Sequence, residues 1–80
     1  MKVTVTKKNA PIPVAIGTEF IKLEALLKFA NAVESGGMAK TAIQEGEVSV
    51  NGEICTMRGK KLVPGDTVYF NEEEFVVVSE

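Results

Sequence analysis

The stretch Ser35-Gly36-Gly37-Met38-Ala39-Lys40-Thr41-Ala42-Ile43-Gln44-Glu45-Gly46-Glu47-Val48-Ser49-Val50-Asn51-Gly52 changes its hydrophobic period halfway along, and that change sets the fold class. Before Gly46, Ala39, Ala42 and Ile43 recur at the three-and-four spacing of one helix face. Ser35 is placed to cap the helix, and Gly46 to stop it in the left-handed conformation that glycine accepts most readily. After Gly46 the period drops to two, with Val48 and Val50 alternating with Glu47 and Ser49. Asn51-Gly52 then marks a hairpin turn into Glu53 to Thr56. A two-residue loop would put Ile54 on the face opposite Val48 and Val50. A three-residue loop, Val50-Asn51-Gly52, would set Val48 across from Ile54 and bury both, and it is the expected arrangement.

Upstream, Phe20, Leu23, Leu26, Leu27, Ala30 and Val33 predict a first helix, with Lys22, Lys28 and Asn31 off its apolar stripe. The segment from Met1 to Ile16 reads as two short strands, Val3 and Val5 in one, Ile12, Val14 and Ile16 in the other. Pro11 and Pro13 make the second an edge strand. Downstream, Pro64-Gly65-Asp66 predicts a type II turn feeding a strand Thr67 to Phe70. A last strand, Phe75 to Val78, follows an acidic turn, Asn71 to Glu74. The expected architecture is α+β: two short helices packed against a small, mostly antiparallel sheet, with an N-terminal extended segment over residues 1–16. Tyr69 and the phenylalanines fall in strand or helix patterns that read as core.

Eighty residues make one domain, and a composition of 45% hydrophobic and 25% charged residues is that of a folded chain. Histidine is absent and Cys55 is the only cysteine, which leaves no imidazole base, thiolate cluster or internal disulfide to build on. Cys55 reads as a small semi-buried hydrophobe. No run approaches the roughly 20 apolar residues of a membrane span, and the first residues lead into no apolar signal region, so the expected compartment is the cytoplasm. Glu24 and Asp66 are carboxylates without a visible partner for acid–base work, so no enzyme activity and no cofactor are expected.

The net charge of −2 argues against a generic polyanion binder, but it conceals local patches. Lys2, Lys7 and Lys8 open the chain, Arg58, Lys60 and Lys61 cluster in one loop, and Glu72, Glu73, Glu74 and Glu80 load the end. Such clusters are either solvated turns or a binding face. Gly36 and Gly37 weaken the first turn of a helix by about 0.5 to 1 kcal/mol each relative to Ala. Either the two helices pack too closely for a Cβ, or bare amides at the helix N-terminus are left open for an anion.

The ordered series Leu23-x-x-Leu26-Leu27-Lys28, Ser35-Gly36-Gly37-x-Ala39-Lys40, Ile43-x-x-Gly46-x-Val48-x-Val50-Asn51-Gly52, Arg58-Gly59-Lys60-Lys61-Leu62 and Pro64-Gly65-Asp66-x-Val68 resembles the RNA-binding domain named after ribosomal protein S-four, the alpha-L motif. The likeness runs from about residue 20 to 70, and the Ser-Gly-Gly-x-Ala-Lys form is similar to the small stand-alone bacterial members, the YaaA- or YbcJ-like group. The resemblance implies a face for structured RNA, ribosomal or transfer RNA, with the ribosome or a ribosomal subunit as the expected partner. It places on that face Lys22 in the first helix, Ser35, Gly36, Gly37 and Lys40 at the start of the second, Asn51 in the hairpin turn, and Arg58, Lys60 and Lys61 in the loop. Gly36 stands where many members carry a basic residue, and Met57 where relatives show the first of two arginines.

In that reading the cations neutralise phosphates and Asn51 reaches a 2′-OH or base edge, so shape is read rather than sequence. Aromatic stacking is expected to be minor. The protein is expected to be a monomer with no membrane partner. The rival is a small protein-interaction module that docks through its sheet edge, near Ile12 to Ile16, or through its acidic turn.

Overall fold

The computed structural model describes residues 11–80, so the strand expected around Val3 and Val5 lies outside the described residues. In chain order the elements are β1 (Ile12–Ile16), β2 (Ile21–Lys22), α1 (Leu23–Phe29), α2 (Gly36–Gln44), β3 (Val48–Val50), β4 (Glu53–Ile54), β5 (Lys61–Leu62), β6 (Thr67–Phe70) and β7 (Glu73–Ser79). Five strands form one sheet in the order β1-β7-β6-β3-β4, antiparallel except for the parallel β1–β7 pair, while β2 and β5 form a separate two-stranded ladder. Among the described residues the proline-bearing β1 lies at the edge of the sheet, the place where a strand tolerates proline.

One core joins the layers. Leu23, Leu26 and Leu27 of α1 and Ala39, Ala42 and Ile43 of α2 pack with Val14, Val48, Val68, Phe75 and Val77 from one face of the sheet and Leu62 of β5. The second helix forms as its sequence predicts: the Ser35 hydroxyl accepts from Met38 N–H, and Gly46 at φ +80° ends it. Glu47 N–H donates to Ala42 O and Gly46 N–H to Ile43 O, the paired bonds of a Schellman stop.

The first helix is shorter than its hydrophobic spacing predicts. Asn31, at φ 60°, ends it through the same device, with Ala32 N–H donating to Leu27 O and Asn31 N–H to Lys28 O. Val33 still reaches the core from the following loop, but Phe20 lies ahead of the helix and Lys22 sits in β2 rather than in α1. Local capping by Asn31 therefore overrides a period that continues for one more turn.

The hairpin also departs from expectation. Val50 pairs with Glu53 and Ser49 with Ile54, so the loop holds two residues, not three. Asn51 at φ 52° and Gly52 at φ 89° both take the left-handed region, the turn whose twist matches that of the flanking strands. Backbone twist wins over the burial of one side chain, and Ile54 is left 68% exposed. A second such turn, Asn71-Glu72, joins β6 to β7, so Glu73 and Glu74 belong to the strand rather than to an acidic turn. The Pro64-Gly65 turn forms as predicted, Gly65 at φ +101° and Asp66 N–H donating to Val63 O. Of the aromatics expected in the core, only Phe75 is fully buried. Phe20, Phe29 and Tyr69 are exposed, because the first two lie off the short helix stripe and the third on the uncovered sheet face, beside Ser49.

Candidate nucleic-acid interface

Two backbone hydrogen bonds bring the basic loop to the first helix. Leu23 N–H donates to Lys60 O at 2.9 Å and Glu24 N–H to Arg58 O at 3.1 Å. The N-cap residue Lys22 makes no side-chain cap bond, so the loop carbonyls satisfy amides that a helix start otherwise leaves open. Next to this clamp Lys22 pairs with Lys61, and Ile21 with Leu62, in the β2–β5 ladder. Leu62 is fully buried and Ile21 packs on the core, which turns both lysines of the opposite pair to solvent.

Four cations, Lys22, Arg58, Lys60 and Lys61, are thus gathered at one end of α1, all exposed. Like charges directly opposite in a ladder repel. Neither Lys22 nor Lys61 has a carboxylate partner among the described residues. Lys61 Nζ instead lies over the Phe20 ring, 4.8 Å from its centroid. An arrangement that costs stability in the free chain is one that a bound anion would relieve.

A second cluster forms at the start of α2, where Ser35, Gly36 and Gly37 are exposed and Lys40 lies one turn further on. A Cβ built on Gly36 would meet only Lys28 Cδ at 3.8 Å, and on Gly37 only Ser35 Oγ at 3.8 Å. Close helix packing is therefore not the reason for these glycines. The same distance puts the stem of Lys28 against the α2 start, a cation that the sequence reading left outside the site. Its position in the last turn of α1, just before the Asn31 stop, was the available signal.

Asn51 is engaged in a network of its own. Its Oδ1 accepts from Thr67 N–H at 2.9 Å and from the Thr67 hydroxyl at 3.3 Å, while its Nδ2 donates to Asp66 Oδ1 at 3.1 Å. Asp66 in turn accepts from Val63 N–H at 2.9 Å. Asn51 and Asp66 thereby tie the hairpin turn to the Pro64-Gly65 turn, and only one Nδ2 hydrogen of Asn51 is left to offer elsewhere. Cys55 is half-buried, with its thiol toward Met57 O at 3.8 Å. Among the described residues no group of acidic or thiol side chains could hold a metal ion, and no helix is long and apolar enough to cross a membrane.

Comparison with known proteins bears on the family and the fold. A ribosome maturation protein of Bacillus subtilis (strain 168), named there as a probable one and called RlbA, is 50% identical over 56 residues, 70% of this chain and 79% of that protein. YbcJ of Escherichia coli (strain K12) is 42% identical over 59 residues, 74% of this chain and 84% of its own. The solution structure of YbcJ, described as revealing an alpha-L motif involved in RNA-binding, superposes with a TM-score of 0.68 at 33% identity, covering 96% of this chain and 99% of that one. Residues 14–78 match the model of the S4 domain, and the chain belongs to the S4 domain family.

Proposed function

We propose that this chain binds structured RNA, ribosomal or transfer RNA, mainly through backbone phosphates held by Lys22, Arg58, Lys60 and Lys61. The observation that carries this reading is the cross-strand pairing of Lys22 with Lys61 beside a loop whose carbonyls clamp α1. The clamp fixes the backbone positions from which the four cationic side chains extend, so the loop itself needs little ordering on binding. The exposed Ser35-Gly36-Gly37 start of α2, with Lys40 and Lys28 alongside, supplies further phosphate contacts through open amides and the helix dipole. The relative named for ribosome maturation supports the ribosome as the place of action, and we take the protein to act there as a cytoplasmic monomer without a cofactor.

The face binds and orients, and it has no assigned chemistry. Asp66 is occupied in the turn network, and Glu24 lies at the clamp with its amide bonded to Arg58. With about four or five phosphates engaged, log K should fall with log salt at about 0.7 to 0.9 per contact.

The test is co-sedimentation with ribosomal subunits across a salt series, for wild type and for a variant with Lys22, Arg58, Lys60 and Lys61 changed to Glu, its fold checked by circular dichroism. The expected result is association that weakens with salt and disappears in the folded variant. Equal sedimentation of both proteins, insensitive to salt, would remove the basic face from the mechanism and turn attention to a protein partner on the sheet edge.

A further inference from the structure

Phosphate contacts leave one feature of the basic face without a use. Phe20 directly precedes β2, and its ring lies against the Lys61 ammonium rather than within the core cluster. The ring is 37% exposed, and two further exposed apolar side chains, Met57 and Val63, flank the same loop and ladder. A ring this size gains more from burial than almost any other side chain, yet here more than a third of it is left to solvent beside a cation. Lys61 Nζ lies over its face, 4.8 Å from the centroid, within the distance at which a ring quadrupole attracts an ammonium.

Resting on the RNA-binding reading above, we infer that Phe20 is a stacking platform for an unpaired nucleobase, so that the RNA recognised carries a bulged or looped-out base beside the phosphates held by Lys22 and Lys61. A duplex offers phosphates but hides its base faces, whereas an unstacked base presents the flat π surface that an exposed aromatic ring takes up. Lys61 has a flexible four-carbon stem. Its ammonium covers the ring in the free protein and pivots to the phosphate of the same nucleotide when the base enters. The Lys61 ammonium over the ring and Lys22 opposite it in the ladder favour this occupant over an apolar protein surface, which would have to bury both lysines unpaired.

The experiment uses the full chain with two probes: an RNA hairpin carrying one bulged 2-aminopurine, and the same stem fully paired. Wild type should bind the bulged RNA about tenfold or more tightly than the paired one, with quenching of the 2-aminopurine fluorescence as it stacks. Phe20→Leu, which keeps an apolar side chain without a π face, should abolish both the preference and the quenching. Phe20→Tyr should restore them. Equal affinity for the two RNAs, or a preference that survives in Phe20→Leu, overturns the stacking role, and loss of binding to both on changing Lys22 and Lys61 to Glu would then leave the phosphate reading intact. Wild type that binds neither RNA overturns both.

Discussion

The two helices begin in opposite ways. At α1 the first amides are consumed: Leu23 and Glu24 donate to Lys60 O and Arg58 O, and the cap residue Lys22 contributes charge but no side-chain bond. At α2 the Ser35 hydroxyl takes Met38 N–H, and the amides of Gly36 and Gly37 donate to no acceptor among the described residues. One terminus uses its backbone to hold cationic side chains in place, and the other leaves its backbone available to a ligand. Anion affinity at α1 is therefore a matter of side-chain charge, and at α2 a matter of amides and dipole.

The clamp at α1 should break most severely from beneath. Leu62 is fully buried on the inner side of β5, directly behind the Lys22–Lys61 pair, and its neighbour in the ladder is Ile21. Leu62→Ala should cost about 2 to 5 kcal/mol in urea unfolding, as buried leucine truncations do. It should also weaken RNA binding although no cation is touched, because the loop loses its anchor. Unfolding within about 0.5 kcal/mol of wild type would mean that the two backbone bonds alone hold the loop.

At α2 the corresponding change is Ser35→Ala, which removes the only side-chain cap of the pair. The expected loss is about 1 kcal/mol of unfolding free energy. Affinity for RNA should fall as well, since the first turn of α2 frays where its amides are needed. A loss of stability at unchanged affinity would confine the α2 start to a structural role and leave the α1 face as the sole binding region.

The contrast between the termini also explains what could be read in the sequence. The α2 start is local: Ser35, the glycines, the Ala39-Ala42-Ile43 stripe and Gly46 lie within one helix length, and each acts on its own neighbours. The α1 start is not local. The β2–β5 ladder is two residues long on each strand, too short for a period to show, and its partners are about forty positions apart in sequence. A single helix stripe drawn through Phe20 therefore hid both the ladder and the exposed ring. The fate of Asn51 was hidden for the same reason, since its Nδ2 and its amide oxygen are engaged fifteen and sixteen residues away, at Asp66 and Thr67 respectively. The turn at Asn51-Gly52 was legible from its dipeptide. Its length was not, because the burial of Ile54 argued for three residues and the twist of the strands, expressed in two positive φ angles, required two.

The smallest expected effect separates the two termini most finely. Gly36 has a helical backbone and room for a Cβ, with Lys28 Cδ the nearest atom at 3.8 Å, so Gly36→Ala meets no steric obstacle. On helix propensity alone it should stabilise the fold by up to about 0.5 to 1 kcal/mol, less if the first turn counts for less than the interior. If the bare amides serve a phosphate, the added methyl group keeps it at a distance, and affinity falls while stability rises. Those opposite signs are the expected outcome, read by urea unfolding and by RNA filter binding on the same preparation. A variant that gains stability and keeps its full affinity would show that no phosphate approaches the α2 start. The glycines would then need another explanation, and the cations clamped at α1 would account for the binding alone.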